Sequence, residues 1–287
     1  MKKIAILFLA VIFLSSTPSY SFEFKKLTKE EKEVKSLLKE HNKALYKKDL
    51  ETLSTFYHES YKNEDGYNLS EMIAMIEKAT KAFENIKYKT KIINIEAREQ
   101  SAIAQMQDTT KAKIYPFKKF KNRDKIGILE GKSNCIVYLN KIDNEWKIIK
   151  DATIEEETSL RYGIARKIDL ELKTPESIKN GQNYELALNM ETPEKIIAIG
   201  SISREEVNFP PDEYEEKFRK IPQDGILERL VKANDKNKDE YAIASVGFTK
   251  VSLNEKEKKA KIEILGMAYM MKRIAMRNFS CEEVENN

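Results

Sequence analysis

The sequence predicts an α+β domain followed by an all-β domain. Apolar residues recur at helical spacing only between residues 28 and 83. Alternation with a period of two then begins at residue 88 and runs to residue 151. Short alternating segments separated by turn residues fill positions 168–276, as is typical of a β-sandwich. Helices first and a meandering sheet second indicate that the helices of the first domain lie together on one sheet face.

Residues 1–21 have the pattern of a secretory signal peptide. Lys2 and Lys3 precede an unbroken apolar run at residues 4–14, and small residues, Ser19 and Ser21, precede the predicted cleavage site. We therefore expect export to a periplasm or to the outside of the cell, with cleavage after Ser21. The alternative is an uncleaved anchor. The apolar run would rise only about 16 Å as a helix, about half of a hydrocarbon core.

Three helices are predicted from their N-terminal caps. Thr28 and Glu31 form a capping box before the first apolar stripe, and Asn68 and Glu71 form another before the third. Asp49 is the natural N-cap of a short second helix. These signals are local, so they define where each helix begins without reference to the rest of the fold.

The remaining elements are strands. In the first domain they lie near residues 88–95, 102–107, 126–139 and 145–151. A tight turn at residues 143–144 joins the last two into a hairpin. The second domain, predicted at residues 164–280, has about seven short strands, and residues 281–287 form a polar tail. The junction near Gly163 has no linker composition, so we expect a fixed interface between the two domains.

Three segments of the first domain carry a family resemblance. Residues 44–53 (ALYKKDLETL) look like a helix-break-helix, residues 65–67 (DGY) lead into a third helix, and residues 145–151 (EWKIIKD) look like a closing strand. Together they resemble the nuclear transport factor 2-like superfamily, which includes ketosteroid isomerase and polyketide cyclases. The resemblance covers residues 22–163 and implies an α+β cone, with three N-terminal helices on a curved antiparallel sheet. The all-β, sandwich-like domain that follows carries no family resemblance that we recognise.

The resemblance also implies a pocket inside the cone. In enzymes of that superfamily the cone holds a carboxylate base together with a Tyr or an acid that stabilises an oxyanion. The candidate pocket residues here are Tyr57, His58, Tyr61, Asp108, Ser133 and Asp151. No spacing among them identifies an acid–base pair, so two hypotheses stay open. One is a pocket without catalysis, and the other uses Asp108 or Asp151 as base with Tyr57 or Tyr61 as hydrogen-bond donor.

Two further polar residues have structural interpretations. His41 shares the apolar face of the first helix, which predicts a partly buried structural histidine. Cys135 lies in a strand-like run and is interpreted as a small buried hydrophobic residue. The second cysteine, Cys281, lies in the polar tail, so no disulfide is expected.

A basic, aromatic segment spans residues 111–125 between two predicted strands. Its candidate contact residues are Phe117, Lys118, Lys119, Phe120 and Lys121. Lysines interleaved with aromatic residues favour weak contact with an anionic membrane surface or an acidic envelope protein. The structural alternative is that the aromatic side chains cover the sheet edge while the lysines stay solvated.

Several functional classes are not favoured. The basic residues are 42 Lys and only 9 Arg, spread along the chain, so we expect no nucleic-acid partner. Residues 235–239 copy the start of a calcium loop, but Glu240 and Val246 replace its Gly and its bidentate Glu, so no metal is expected. No cofactor motif is present. The sequence thus favours an exported, non-catalytic binding or envelope-associated protein. Its cone domain would hold a small ligand or a peptide, or serve as a scaffold, and its β-sandwich would make protein contacts. The alternative is a small-molecule isomerase or cyclase that uses an Asp/Tyr pair inside the cone; the oligomeric state stays open.

Overall fold

The computed structural model describes residues 26–83, 85–114, 126–208, 216–254 and 259–277. Three helices come first: α1 (Lys29–Lys47), α2 (Leu50–Thr55) and α3 (Leu69–Ala82). Four long strands follow: β1 (Lys87–Ala97), β2 (Ser101–Ile114), β3 (Gly127–Ile142) and β4 (Glu145–Gly163). After a short 3-10 turn come β5 (Leu170–Lys173), β6 (Ser177–Ile178), β7 (Asn183–Met190), β8 (Ile197–Glu206), β9 (Arg219–Lys220), β10 (Ile226–Lys232), β11 (Glu240–Asn254) and β12 (Lys259–Met276).

The predicted helix caps are confirmed. The Thr28 hydroxyl accepts the Glu31 amide at 3.1 Å, and the Glu31 carboxylate accepts the Thr28 amide at 2.8 Å. Asn68 and Glu71 make the same reciprocal pair at the start of α3. Asp49 caps α2 by accepting a backbone amide at 3.0 Å. Each cap satisfies amides that the first helical turn leaves without a partner.

The strands of both predicted domains join into one large sheet. Its strand order is β1-β2-β3-β4-β12-β11-β8-β9, and β6 pairs with β12 beside this path. The junction is the antiparallel pairing of β4 with β12, from Gly163 opposite Gly266 to Glu157 opposite Lys272. The expected interface near Gly163 is therefore a strand ladder. Alternation in the sequence predicts strands but does not specify which distant strands pair, so this continuity was not predicted.

A close approach of two backbones makes this junction specific for glycine. Gly163 has a φ of +55°, and a Cβ there would lie 2.1 Å from the Leu265 carbonyl oxygen. A Cβ on Gly266 would lie 2.6 Å from the Tyr162 carbonyl oxygen. Only glycine at both positions lets β4 end against β12 without displacing either strand.

Two apolar cores lie on opposite faces of the large sheet. One lies between α1 and β1–β4, where Val34 and Leu38 pack with Ala104 and Val137. The other lies between a three-stranded sheet, ordered β10-β7-β5, and strands β8, β11 and β12. We call the face that α1 covers the inner face. Residues directly opposite one another share a face, so the inner face extends from β4 across β12 and β11.

Candidate functional site

A cavity of about 240 Å³ lies between α3 and the inner face of β1–β4. We call it the cone cavity. Phe83, Ile86, Tyr88 and Leu129 supply apolar lining, and Asp108 and Ser133 supply polar groups. No residue of α3 is fully buried, so the apolar side of this helix is only partly covered by protein. The cone cavity therefore presents apolar surface with a few polar groups placed in it.

Asp108 is one of two carboxylate residues that line the cone cavity, the other being Glu156 on β4. The Thr90 hydroxyl donates to its Oδ1, and the Cys135 thiol donates to its Oδ2 at 3.4 Å. Ser133 lies directly opposite Asp108 on the neighbouring strand, so both side chains point to the inner face. A carboxylate oxygen has two lone pairs, and each Asp108 oxygen uses one, so the group can accept further hydrogen bonds from a ligand.

Cys135 is a hydrogen-bond donor in this site. Burial, and then the negative charge of Asp108, raise the pKa of the Cys135 thiol far above its ordinary value. The thiolate is the reactive form of cysteine, so a raised pKa leaves an unreactive thiol. The interpretation of Cys135 as a small hydrophobic residue therefore missed its hydrogen bond to Asp108.

Tyr61 and Asp151 form a short hydrogen bond beneath the cone cavity. The Tyr61 hydroxyl donates to Asp151 Oδ2 at 2.5 Å, and Tyr61 is only 2% exposed. Burial raises the pKa of Asp151; the hydrogen bond from Tyr61 acts against this, and the charges of Asp65 and Asp108 add to it. Burial likewise raises the pKa of Tyr61. Neither residue lines the cone cavity, because the Asp151 position lies opposite Val137 within the apolar core.

His41 and Tyr57 extend this polar group toward α1. His41 Nε2 lies 2.8 Å from the Tyr57 hydroxyl, and the Tyr57 ring meets the Tyr61 ring edge-on at 4.8 Å between centroids. Burial lowers the pKa of His41, so the neutral imidazole is favoured. Burial, with the charge of Asp151, raises the pKa of Tyr57. The predicted buried, structural histidine is thus a hydrogen-bonding partner of a predicted pocket tyrosine.

The structure separates the six predicted pocket residues into three places. Asp108 and Ser133 line the cone cavity, and Tyr57, Tyr61 and Asp151 lie beneath it. The sixth residue, His58, lies in a turn near the surface.

His58 does not line the cone cavity. Its Nδ1 accepts the Ser60 amide at 3.2 Å and lies 2.7 Å from the Ser60 hydroxyl, in a turn near the surface. The reason is local: the His58 amide donates to the Ile148 carbonyl, and the imidazole is held by Ser60, two residues further along the chain.

Sequence reasoning also missed Thr90, which completes the Asp108 site. The period of two shows which residues share a face with Thr90 in its strand, and likewise for Asp108 and Ser133, but it does not relate one strand to another. Only the register, Thr90 opposite Asp108 and Asp108 opposite Ser133, brings them into one row. The alternation was the available signal, but it does not fix how far one strand is shifted against the next.

Several predicted features lie outside the described residues. They are the signal peptide at 1–21, the polar tail at 281–287, and the contact residues Phe117, Lys118, Lys119, Phe120 and Lys121. Within the described ranges, no group of three or more metal-binding side chains is found. The helices among those same ranges include none long and apolar enough to cross a membrane.

Comparison with known proteins gives structural neighbours for the first half alone. No protein-family model matches the chain, and no curated protein matches it. Bd1075 of Bdellovibrio bacteriovorus is 16% identical with a TM-score of 0.34, over 42% of this chain and 39% of its own. An NTF-2 like protein of unknown function from Shewanella oneidensis is 19% identical with a TM-score of 0.32, over 42% and 96%. A cystatin-like protein of unknown function from Nostoc punctiforme is 16% identical with a TM-score of 0.31, over 45% and 92%.

The neighbours carry the family names that the sequence resemblance predicted. They are NTF2-like, cystatin-like, scytalone dehydratase and polyketide cyclase-type proteins, and they cover about 42% of the chain. The C-terminal region has no recognised family. Neighbours in this set are of unknown function or enzyme-like, and similarity at these identities and TM-scores carries no argument about the chemistry of this chain.

Proposed function

We propose that this chain is an exported protein that binds a small ligand in the cone cavity. The observation that carries the proposal is the placement of Asp108 and Ser133, side by side, in a cavity otherwise lined largely by apolar side chains. Small-molecule sites have this composition, because apolar contacts supply affinity and a few fixed polar groups orient the ligand. The second half of the chain, with its three-stranded sheet over the large one, is proposed as a sandwich-like platform for contacts with an envelope protein.

The chemistry of the lining defines the class of ligand. Asp108 offers acceptor lone pairs, and its ionised form attracts a positive charge. Phe83, Tyr88 and Leu129 offer apolar and aromatic contacts around it. The favoured ligand therefore has an apolar body and an amine or ammonium group that donates to Asp108.

Isothermal titration calorimetry with phenethylamine tests this proposal. We expect phenethylamine to bind and phenylacetate, its acidic counterpart, to bind more weakly. Asp108→Asn should remove this preference and weaken amine binding by about 10- to 100-fold, since a hydrogen bond to a charged group contributes about 1.5–3 kcal/mol. Asp169→Asn, at an exposed position outside the cavity, is the matched control. Equal binding of amine and acid, or binding of neither, would contradict the proposal.

A second candidate function is that of an isomerase or cyclase. It is favoured by one observation, the Tyr61–Asp151 hydrogen bond with the raised pKa of Asp151. A carboxylate whose pKa moves toward neutral is a better general base, and a tyrosine hydroxyl can donate to a developing oxyanion. It is the weaker candidate because neither side chain lines the cone cavity.

Proton exchange distinguishes the two candidates. An enzyme of this type should catalyse exchange of the α-protons of an aryl ketone such as acetophenone into heavy water, followed by nuclear magnetic resonance. Asp151→Asn should abolish that exchange, and Asp108→Asn should leave most of it. Catalysed exchange with this pattern would replace the binding proposal. Exchange at the uncatalysed rate supports binding.

Export is part of the proposal. It is supported by the charged, apolar and small-residue pattern of residues 1–21. The intact mass of the protein recovered from the medium or the periplasm should correspond to a chain that begins at Phe22. A mass that retains residues 1–21 in a membrane fraction would favour the anchor instead.

A further inference from the structure

A second cavity lies on the inner face of the large sheet, beyond the cone. It is an open groove of about 420 Å³ over strands β4, β8, β11 and β12. Its apolar lining includes Leu160, Tyr162, Ile199, Ile264 and Met267. We call it the apolar groove. Its one ionisable side chain other than tyrosine, within the part of the chain that is described, is Glu216, which accepts a hydrogen bond from Ser245.

The apolar groove leaves large side chains in water. Ile264 is 70% exposed, Met267 is 52% exposed and Ile199 is 37% exposed. Their neighbours on the same strands, such as Ala268 and Met270, point to the opposite face and pack against the three-stranded sheet. A contiguous exposed apolar patch of this kind is typical of a ligand-binding groove or an interaction surface.

The two cavities adjoin across β3 and β4. Leu129, which lines the cone cavity, lies directly opposite Leu160, which lines the apolar groove. At the next inner-face position of β3 stands Gly127, and a Cβ there would lie 2.3 Å from Tyr162 Cε1. The absence of a side chain at Gly127 therefore lets the Tyr162 ring lie over β3, at the edge of the groove.

The dimensions favour an elongated ligand. The cone cavity, at about 240 Å³, is smaller than the roughly 300–1,000 Å³ of pockets that enclose drug-sized molecules, whereas the apolar groove lies within that range. The path from Asp108 on β2 to Gly247 on β11 crosses four strand spacings, about 19 Å. It also runs six residues along β4, from Glu156 to Tyr162, or about 20 Å, so the separation is about 28 Å. One molecule that fills both cavities must be long and narrow, with its polar end at Asp108.

We propose that the apolar groove holds the hydrocarbon chain of a cationic amphiphile whose amine head group lies beside Asp108. This inference rests on the proposed function, because the head-group site is the cone cavity. The charge of the lining favours a cationic head group, because the acidic residues Asp108 and Glu156 both line the cavity on its inner face. Lys132 alternates with Ser133 on β3, so its side chain points to the other face. The hydrocarbon chain of the ligand would lie in the groove, because each methylene buried there removes apolar surface from water.

A series of primary alkylamines tests the inference. Hexylamine, dodecylamine and octadecylamine, each below its micellar concentration, are titrated into the full chain by calorimetry. Affinity should rise about threefold to fourfold for each added methylene, the increment that burial of one methylene provides. The alkyl carboxylates of equal length should bind at least about tenfold more weakly, because they bring a negative charge to Asp108.

Substitutions in the apolar groove test whether the alkyl chain of the ligand lies there. Met267→Glu and Ile264→Asn should each weaken octadecylamine binding by about tenfold or more and leave hexylamine binding nearly unchanged. Ile93→Asn is the matched control: Ile93 is 51% exposed on β1 and lines neither cavity. Both groove positions are exposed, so the variants should keep the parent's thermal unfolding midpoint, which is measured alongside.

The outcomes separate the inference from the proposed function. If affinity is independent of chain length while Asp108→Asn still weakens amine binding, the groove assignment is wrong and the cavity assignment stands. If no amine binds, the proposed function itself fails. A third outcome also overturns the inference: a dimer by sedimentation that becomes a monomer in Met267→Glu would mean that a second copy of this chain covers the groove.

Discussion

Arg273 on β12 and Asp65 in the loop between α2 and α3 form a two-pronged ion pair. Nη1 of the guanidinium donates to Asp65 Oδ2 at 3.0 Å, and Nη2 donates to Oδ1 at 2.6 Å. The Arg273 side chain is 2% exposed, and its Nε donates to Asp239 at 2.8 Å. A residue of the helical region and a residue near the end of the last strand are thereby fixed to each other, in addition to the β4–β12 ladder.

Removal of Arg273 should be costly. We expect Arg273→Met to lower the free energy of unfolding by about 3 kcal/mol, because Asp65 and Asp239, whose side chains are 12% and 23% exposed, would lose their cationic partner. The measurement is urea unfolding followed by circular dichroism. Lys150→Met is the control: Lys150 pairs with Glu64, next to Asp65, but both side chains are about half exposed, so its cost should be about 0–1 kcal/mol. A similar loss of unfolding free energy in the two variants would contradict the buried ion pair between Arg273 and Asp65.

Asp151 should make the protein less stable as the pH rises. Its pKa in the folded protein is raised by burial, so folding favours its protonated form. Its contribution to stability is therefore complete below the unfolded pKa, about 3.9, and is lost as the pH rises through the folded pKa. Asn at this position is neutral and still offers an oxygen to Tyr61.

The free energy of unfolding of the Asp151→Asn variant should therefore rise relative to that of the parent as the pH increases from about 4 toward neutrality. Urea unfolding at a series of pH values gives the comparison. Asp169→Asn, at an exposed position, should leave the pH dependence of the parent unchanged. A constant difference between Asp151→Asn and the parent at every pH would show that burial does not shift this carboxyl.

Gly163 should resist substitution. We expect Gly163→Ala to lower the free energy of unfolding by about 1–3 kcal/mol, because its φ is +55° and the added Cβ would meet the Leu265 carbonyl at 2.1 Å. Gly247→Ala is the control on the same sheet, where the nearest atom to the added Cβ is Ile199 Cγ1 at 3.4 Å. Thermal unfolding should place Gly247→Ala within a few degrees of the parent. Tolerance of alanine at both positions would argue against the close approach of β4 and β12.

The basic segment at residues 111–125 yields a prediction that depends on charge alone. Replacing Lys118, Lys119 and Lys121 with Ser should weaken binding to phosphatidylserine vesicles at low salt by on the order of a hundredfold, at about 1 kcal/mol per lysine near an anionic surface. Vesicle sedimentation measures it. The control replaces three exposed lysines of α1, Lys32, Lys39 and Lys43. Failure of the parent protein to bind would end the idea of membrane contact.

The parts of the fold that are local could be predicted from the sequence. The caps at Thr28, Asp49 and Asn68 act within four residues, so each helix start is encoded where it occurs. The hairpin turn at residues 143–144 is local as well, and both residues have the positive φ that such a turn requires.

The parts that depend on distant pairing could not be predicted. The contact of Arg273 with Asp65 spans 208 positions, and no pattern of spacing encodes it. For the site, the sequence supplied Asp108 and Ser133 as candidates but not Thr90 as their neighbour, because register across strands follows from packing of the whole face. The position of His58 has the opposite cause: a local turn with Ser60 holds its imidazole outside the cone cavity.

The position of β12 has a consequence for synthesis. This strand follows all the others along the chain, yet it lies between β4 and β11 in the interior of the sheet. Until the ribosome has delivered residues 259–276, β4 and β11 each present an open edge, and the two halves have no ladder to join them. Completion of the fold therefore waits for late-made residues and for contacts between distant segments, which form slowly.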